Sequence, residues 1–155
     1  TGSTSTANAN QIVHGSAGLT IAKLRTAKQT LDLGNVDPSI PRHIIVSPKQ
    51  ITDLLGTTEV TSSDFNTVKA LANGEINSFL GFNFIVSNRL SLSGSTRSCI
   101  AYAQDGIALA VGKDVQARID ERADKSYATQ VYYCMSIGAT RMEEAKVVEV
   151  QATES

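Results

Sequence analysis

The sequence predicts an α+β fold, with helices in its first half and mainly strands in its second. Three observations carry that reading. From Val115 to Val150 apolar residues recur at every second position, the period of strands with two unequal faces. From Ile21 to Leu33 the period changes to that of a helix, bounded by a capping Thr20 and by Gly34. No strand–helix–strand unit repeats along the chain, so an all-parallel α/β sheet is not expected.

Thr1 to Gly18 is rich in Ser, Thr, Asn, Ala and Gly and holds one apolar pair, Ile12-Val13. It reads as a flexible lead, or as a segment that orders only against a partner. Leu19 and Leu24 are spaced to form a hydrophobic staple around the Thr20 N-cap. Ile21, Leu24, Ala27 and Leu31 share one helical face, Lys23, Arg25 and Gln29 point elsewhere, and Gly34 supplies a left-handed stop. After Pro38 and Pro41, His43-Ile44-Ile45-Val46 reads as a strand covered on both faces. It runs directly into a short helix ending at Gly56, for which Ser47, Pro48 and Gln50 supply the N-cap, first and third positions. A further capped helix is expected over Asp64 to Ala72, with Phe65, Val68 and Leu71 on one side.

Phe82 to Val86 reads as a strand and Ser87 to Ser98 as an exposed loop. Cys99 to Ala103 and Ile107 to Val111 are placed as the arms of a hairpin turning at Asp105-Gly106. In the last third, Val115, Ala117 and Ile119 alternate with Gln116, Arg118 and Asp120, and Val131, Tyr133, Met135 and Ile137 with Tyr132, Cys134 and Ser136. These are two long antiparallel strands joined by a charged connection at Ala123 to Ser126, followed by a shorter third. A ribbon of that length exceeds what a small core requires, so its tip is expected to meet something.

Composition narrows the function classes. The 155 residues suit one domain, and 41% hydrophobic content permits a proper core. A formal net charge of -1 gives no support to a dedicated nucleic-acid binder, and five aromatic percent without Trp does not make a base-stacking platform. No apolar run approaches the roughly 20 residues that a membrane-spanning helix needs. Thr1 in place of an initiator Met points to a processed chain or a fragment. Cys99 and Cys134 both fall in apolar strand patterns and read as buried free thiols, with a disulfide between them as the alternative.

Catalytic patterns fail on their spacing. Gly106 to Asp114 ends in Gly-Lys-Asp like a phosphate loop, but five apolar residues separate the glycines where four are needed, and Asp114 would repel a phosphate. A buried strand turning at Gly112 accounts for it. Ser47 sits between a strand and a helix, but Val46 and Pro48 replace the small residues a nucleophile elbow demands, and a cap role explains it. His14, in the lead, and His43, at a strand start, each read as a solvated or packed imidazole rather than a base, and two Cys with two His at long spacing make no zinc site. No catalytic residue, metal ligand or cofactor site is assigned.

Charge patterning does mark a surface. Arg118, Asp120, Glu121, Arg122, Asp124 and Lys125 place six charges of both signs in eight residues, and Arg141, Glu143 and Glu144 with Lys146 form a second group where the ribbon returns. Either is a solvated surface of weak pairs or a complementary patch that fixes how copies dock.

The order of these pieces resembles the C-terminal half of a tailed-bacteriophage major capsid protein of the Hong Kong 97 type. The resemblance rests on LTIAKLRTAKQTLDLGNVD from Leu19, PRHIIVSPKQITDLL from Pro41 and TEVTSSDFNTVKALANGEINSFLGFNFIVSNRL from Thr58. SCIAYAQDGIALAVGKDV from Ser98 and the ribbon ending in GATRMEEAKVVEV complete it, so it spans Leu19 to Val150. It implies a spine helix within residues 19–37, a mainly axial domain over 41–112, a peripheral β-ribbon over 113–150, and a tail at 151–155. Residues 1–18 would be the end of the N-terminal arm and extended-loop region, both otherwise absent.

The same resemblance implies a structural, non-enzymatic subunit of a phage or prophage icosahedral shell, needing no cofactor. Its partners would be other copies of the coat protein, scaffold or decoration proteins, and packaged double-stranded DNA through weak non-specific contacts; no membrane is implied. It would reside in the virion, and in the host cytoplasm during assembly. The nine charged ribbon residues from Arg118 to Glu144 named above are the candidate inter-subunit contacts. Two other readings stay open here: a binding module for another phage component, and a small hydrolase pairing a Ser with His43.

Overall fold

Thr20 sets the start of helix α1 (Ile21–Leu33) by accepting a hydrogen bond from the Lys23 amide, 3.4 Å away. In this computed structural model, which describes residues 10–57, 70, 73 and 77–154, the helix keeps the expected length and face. Leu24, Ala27 and Leu31 are fully buried, and Leu19 completes the staple beneath the cap. Its end differs from the expected one. Gly34 has a φ of -74°, and the left-handed residue is Asn35 (φ 55°). The Val36 amide reaches back to the Leu31 carbonyl and the Asn35 amide to that of Asp32, a Schellman closure that also buries Val36 near Leu31. Gly34 is needed for another reason: a Cβ there would lie 2.9 Å from the Ala145 carbonyl oxygen.

Nine strands are described: β1 (Gln11–Ile12), β2 (Arg42–Val46), β3 (Ser78–Phe79), β4 (Phe82–Val86), β5 (Leu92–Ser93), β6 (Thr96–Ala103), β7 (Ile107–Arg122), β8 (Ala128–Arg141) and β9 (Val147–Thr153). Seven of them form one mixed sheet in the order β1-β9-β6-β2-β4-β3, with β5 folded back onto β6. The β1–β9 and β2–β4 pairs are parallel and the others antiparallel. On β6, Cys99, Ala101 and Ala103 face the helices; on β9, Val148, Val150 and Ala152 do, joined by Ile44 and Val46 of β2. The opposite face is half-covered: His43 stacks on Tyr102 at 5.5 Å between ring centroids, and Ser98 donates to Glu149. β2 is thus fully buried on one face only. Helix α2 (Pro48–Thr57) follows β2 directly, and its Leu54 enters the same core.

Several expectations are corrected. Residues 10–18 are not a loose lead among those described. Ile12 packs on the core, β1 pairs with β9, and the Thr153 amide donates to the Ala17 carbonyl. Lys23, expected to point away, donates through Nζ to the carbonyls of His14, Ala17, Gly18 and Gln151 at 2.7–3.1 Å. Burial lowers its pKa, as expected where an ammonium is drawn out of water to satisfy backbone oxygens. Gln151 to Thr153 are not a tail but the second half of β9. The helix expected over Asp64 to Ala72 lies outside the described residues, apart from Ala70.

The Asp105-Gly106 hairpin does not form. A two-residue hairpin of that kind needs positive φ at its turn, and neither residue has it. β6 pairs instead with β2 and β9, and residues 104–106 make a 3-10 turn that leads out of the sheet.

The chain end is clasped. Arg97 holds Glu154 through two parallel bonds of 2.8 Å, and Ser47 and Gln50 donate to the same carboxylate at 2.7 and 2.9 Å. Gln50 accepts from the Ser47 amide, completing one half of a capping box, and both residues are buried. The Arg97 guanidinium, helped by the two neutral donors, holds the Glu154 carboxyl down at about 2.

Two consequences can be measured. Replacing Lys23 by Met leaves four carbonyls without their shared donor. The substitution is expected to cost about 1–3 kcal/mol and to speed amide exchange at Ile12 and Ala17 in particular. Because Glu154 titrates below its ordinary value of 4.5, its contribution is whole above about pH 4.5 and is lost as pH falls toward about 2. Urea midpoints measured across that window should fall steeply for the native chain and less for Glu154→Gln.

Candidate assembly surface

The ribbon is the far half of one long hairpin. β6 and β9 are antiparallel neighbours with Tyr102 opposite Val147; β7 continues from β6 and β8 returns to β9. Two 3-10 turns, at residues 104–106 and 144–146, interrupt the hairpin side by side. Lys146 pins them together, reaching Asp105 at 2.6 Å and Glu143 at 2.9 Å. Gly106 is buried against Lys146, whose Cβ would lie 2.8 Å from an added methyl. The Met142 amide closes the junction on the Gly106 carbonyl.

Beyond this junction β7 and β8 pair only with each other, from Ile107–Arg141 to Arg122–Ala128. The third strand of the sequence pattern, β9, belongs to the main sheet rather than to the ribbon. Val111 pairs with Ile137 and Gln116 with Cys134, so two register shifts give β7 two extra residues. An even total restores the alternation. Odd-numbered Leu109, Val111, Ala117 and Ile119 therefore share one face with Val131, Tyr133, Ile137 and Ala139, as the pairs Ile119–Val131 and Ala117–Tyr133 show. Gln116, Arg118 and Asp120 share the other with Cys134, Tyr132 and Gln130, and all of these but Cys134 line, with Lys113, a hollow of about 380 Å³.

The apolar face is bare. Leu109, Ile119 and Val131 are each 69–70% exposed and Tyr133 is 61% exposed. The segment expected as a buried strand turning at Gly112 is thus an exposed one. Alternation alone reads the same whether or not anything covers the apolar side. Cys134, on the polar face opposite Gln116, is only half-buried, while Cys99 lies in the core, where burial pushes its thiol up to about 12; both are free.

The nine charged residues fall into two groups that the structure keeps apart. Arg118, Asp120, Glu121, Arg122, Asp124 and Lys125 lie at the tip, where Arg122 Nε meets Asp124 at 2.9 Å. Arg141, Glu143 and Glu144 lie at the base, with Arg141 reaching Glu144 at 3.4 Å and Glu143 engaged by Lys146. Fourteen residues of β8 separate the groups, roughly 45 Å of extended chain. The base group therefore ties down the returning turn, whose Lys146 crosses to Asp105, and the tip group lies at the far end of the ribbon. At the tip, Ser126 and Tyr127 both adopt left-handed backbone (φ 53° and 57°), a turn that favours Asn and Gly.

The residues weighed for chemistry are occupied otherwise. Ser47 Oγ engages Gln50 and Glu154, His43 stacks on Tyr102, and His14 Nδ1 accepts from the Ser16 amide, 3.0 Å away. Among the described residues no three His, Cys, Asp or Glu side chains gather as a metal site.

Residues 2–154 match the sequence profile of one family, described as phage capsid protein. The chain belongs to that family. Solved structures similar to this capsid-family chain come from Mycobacterium phage Che8 (18% identical, TM-score 0.70, 91% of this chain and 53% of that one), from the capsid of cyanophage P-SCSP1u (17%, 0.64, 94% and 53%), and from the head of Helicobacter pylori bacteriophage KHP40 (13%, 0.67, 94% and 61%). The shared architecture is the Hong Kong 97-type capsid fold. The chain spans between about half and three-fifths of the length of these structures. Among curated proteins, none matches.

Replacing Ser126-Tyr127 by Asn-Gly should relieve the left-handed turn. A gain of about 1 kcal/mol is expected, read as slower amide exchange along β7 and β8 without change in the main sheet.

Proposed function

We propose that this chain acts as the structural subunit of a phage or prophage icosahedral shell, and that its activity is self-association around double-stranded DNA. The observation that carries the reading is the ribbon. Its two strands leave the sheet together, stay exposed along their apolar face, and end in charges of both signs. An isolated two-stranded ribbon is marginal in water, so a body that spends thirty residues on one is built for contact with a neighbour. The family and fold described above favour the same reading.

In this reading α1 supplies the spine helix, the mixed sheet with α2 the axial domain, and β7 with β8, Ile107 to Arg141 rather than residues 113–150, the peripheral ribbon. Tip residues Arg118, Asp120, Glu121, Arg122, Asp124 and Lys125 orient neighbouring copies, because opposite charges set orientation more than affinity. Arg141, Glu143 and Glu144 brace the ribbon from which those contacts are made. The subunit works without catalysis or cofactor, with scaffold or decoration proteins as further partners. DNA contact is weak per subunit, in keeping with the net charge of -1. The place of action is the virion, and the host cytoplasm during assembly.

Negative-stain microscopy of the complete gene product tests this. Shells or capsomer rings are expected; their absence under all assembly conditions would overturn the reading. Reversing Arg118 and Lys125 to Glu tests the tip, since neither makes an ion pair among the described residues. Stability should stay within about 0.5 kcal/mol while the shell yield drops. An unchanged yield would reduce the tip charges to solubilising groups.

A further inference from the structure

The turn at residues 144–146, through which the ribbon returns to the sheet, is seated on three separate elements. Lys146 crosses to Asp105 in the outgoing turn at 2.6 Å. The side-chain amide of Asn10, just before β1, donates to the Glu144 carbonyl at 2.7 Å. The end of α1 meets the same turn at Gly34, where an added Cβ would lie 2.9 Å from the Ala145 carbonyl oxygen and 3.2 Å from the Ala145 Cβ.

The backbone does not require glycine at this position. Gly34 has a φ of -74°, open to every residue, and the left-handed place at the helix end belongs to Asn35. What the missing side chain allows is the close approach of the turn. Gly106 repeats the pattern without a positive φ, since a Cβ there would lie 2.8 Å from the Cβ of Lys146. Two consecutive residues of the returning turn, Ala145 and Lys146, are thus each seated on a glycine. Gly138, within the ribbon itself, has open space where its Cβ would be.

We infer that Gly34 sets the direction of the ribbon: the end of α1 is the stop on which the returning turn rests. The inference rests on the self-association reading and deepens it. If copies meet through the ribbon, its angle to the sheet fixes the angle between one body and the next, so a determinant of shell curvature lies inside the subunit. Ordinary Cβ contact begins near 3.4 Å, so a side chain at 34 would force the turn back by about 0.5 Å. Taken over the ~4.8 Å between paired strands, that tilts the ribbon by about 6°. Along the roughly 45 Å of β8 the tilt becomes about 5 Å at the tip.

Pulsed electron–electron double resonance on the 155-residue chain reads this angle. One spin label goes at the tip (Lys125→Cys) and the other on the body, at exposed Thr52→Cys or Arg89→Cys in turn. The background is Cys134→Ser, with Cys99 buried. Gly34→Ala should shift at least one mean distance by about 2–5 Å with an unchanged circular dichroism spectrum, and Gly138→Ala should shift neither. Where Gly34→Ala fails to fold, Asn10→Ala decides, because it removes a seat contact without adding a clash: a widened distance distribution supports the seat and an unchanged one removes it. In the complete gene product, Gly34→Ala should change the diameter of the shells seen by negative stain. Unmoved distances in a folded Gly34→Ala chain, an equal shift in Gly138→Ala, or shells of native diameter from a variant whose ribbon has moved would each overturn the proposal. If the native complete product forms no shells, the self-association reading fails, while the distances still decide whether Gly34 steers the ribbon.

Discussion

The pairing of β6 with β9 is the constraint on which the rest of the molecule depends. Its seven-residue register brings Cys99 beside Val150 and Ala101 beside Val148, forming the middle of the sheet face on which α1 lies. The small side chains on β6 let the helix settle close, and the larger ones on β9 and α1 fill the space. Because the pair is antiparallel and its partners lie some fifty residues apart, whatever separates them must leave the sheet and return to the same place. The ribbon is that excursion, kept in register by its own ladder and fastened at its root by Lys146.

The two ends of the described chain are secured by different chemistry. At the start, one ammonium gathers three carbonyls of the lead and one of β9, so an otherwise polar segment is held without a large apolar anchor. At the finish, one carboxylate gathers a guanidinium, a hydroxyl and an amide, tying β9 to the entry of α2. Both devices convert a single charged side chain into several charge-assisted bonds, the stronger class of hydrogen bond. Both also join segments that hydrophobic patterning leaves unassigned.

What was legible in the sequence was local. The staple at Leu19 and Leu24, the cap at Thr20, the Ser47–Gln50 box and the strand at Phe82 to Val86 depend on residues within a few positions of each other, and each is found where the pattern puts it. The alternation in the ribbon was equally plain, and so was the separation of its faces. What was not legible was partnership. Asp105-Gly106 offers a hairpin signal, yet β6 takes β9 as its neighbour, because core burial across the sheet outweighs one turn preference. Asn35, not Gly34, holds the left-handed position, a substitution of roles that Leu-Gly-Asn leaves ambiguous. Lys23 and Glu154 carry no signal in their own surroundings, since their partners lie as far as 128 and 107 positions away.

The junction beneath the ribbon has a mechanical meaning. Both strands cross it in the same short interval, through turns that interrupt the sheet ladder and are joined by Lys146 and by the Met142 amide on the Gly106 carbonyl. Beyond it extends a lever of about 45 Å, so a swing of about 10° at the root carries the tip roughly 8 Å. A shift smaller than a side chain at Lys146 thus becomes a displacement larger than an interface can absorb. The position of the tip is therefore set at the root, by the few contacts that hold the two turns together.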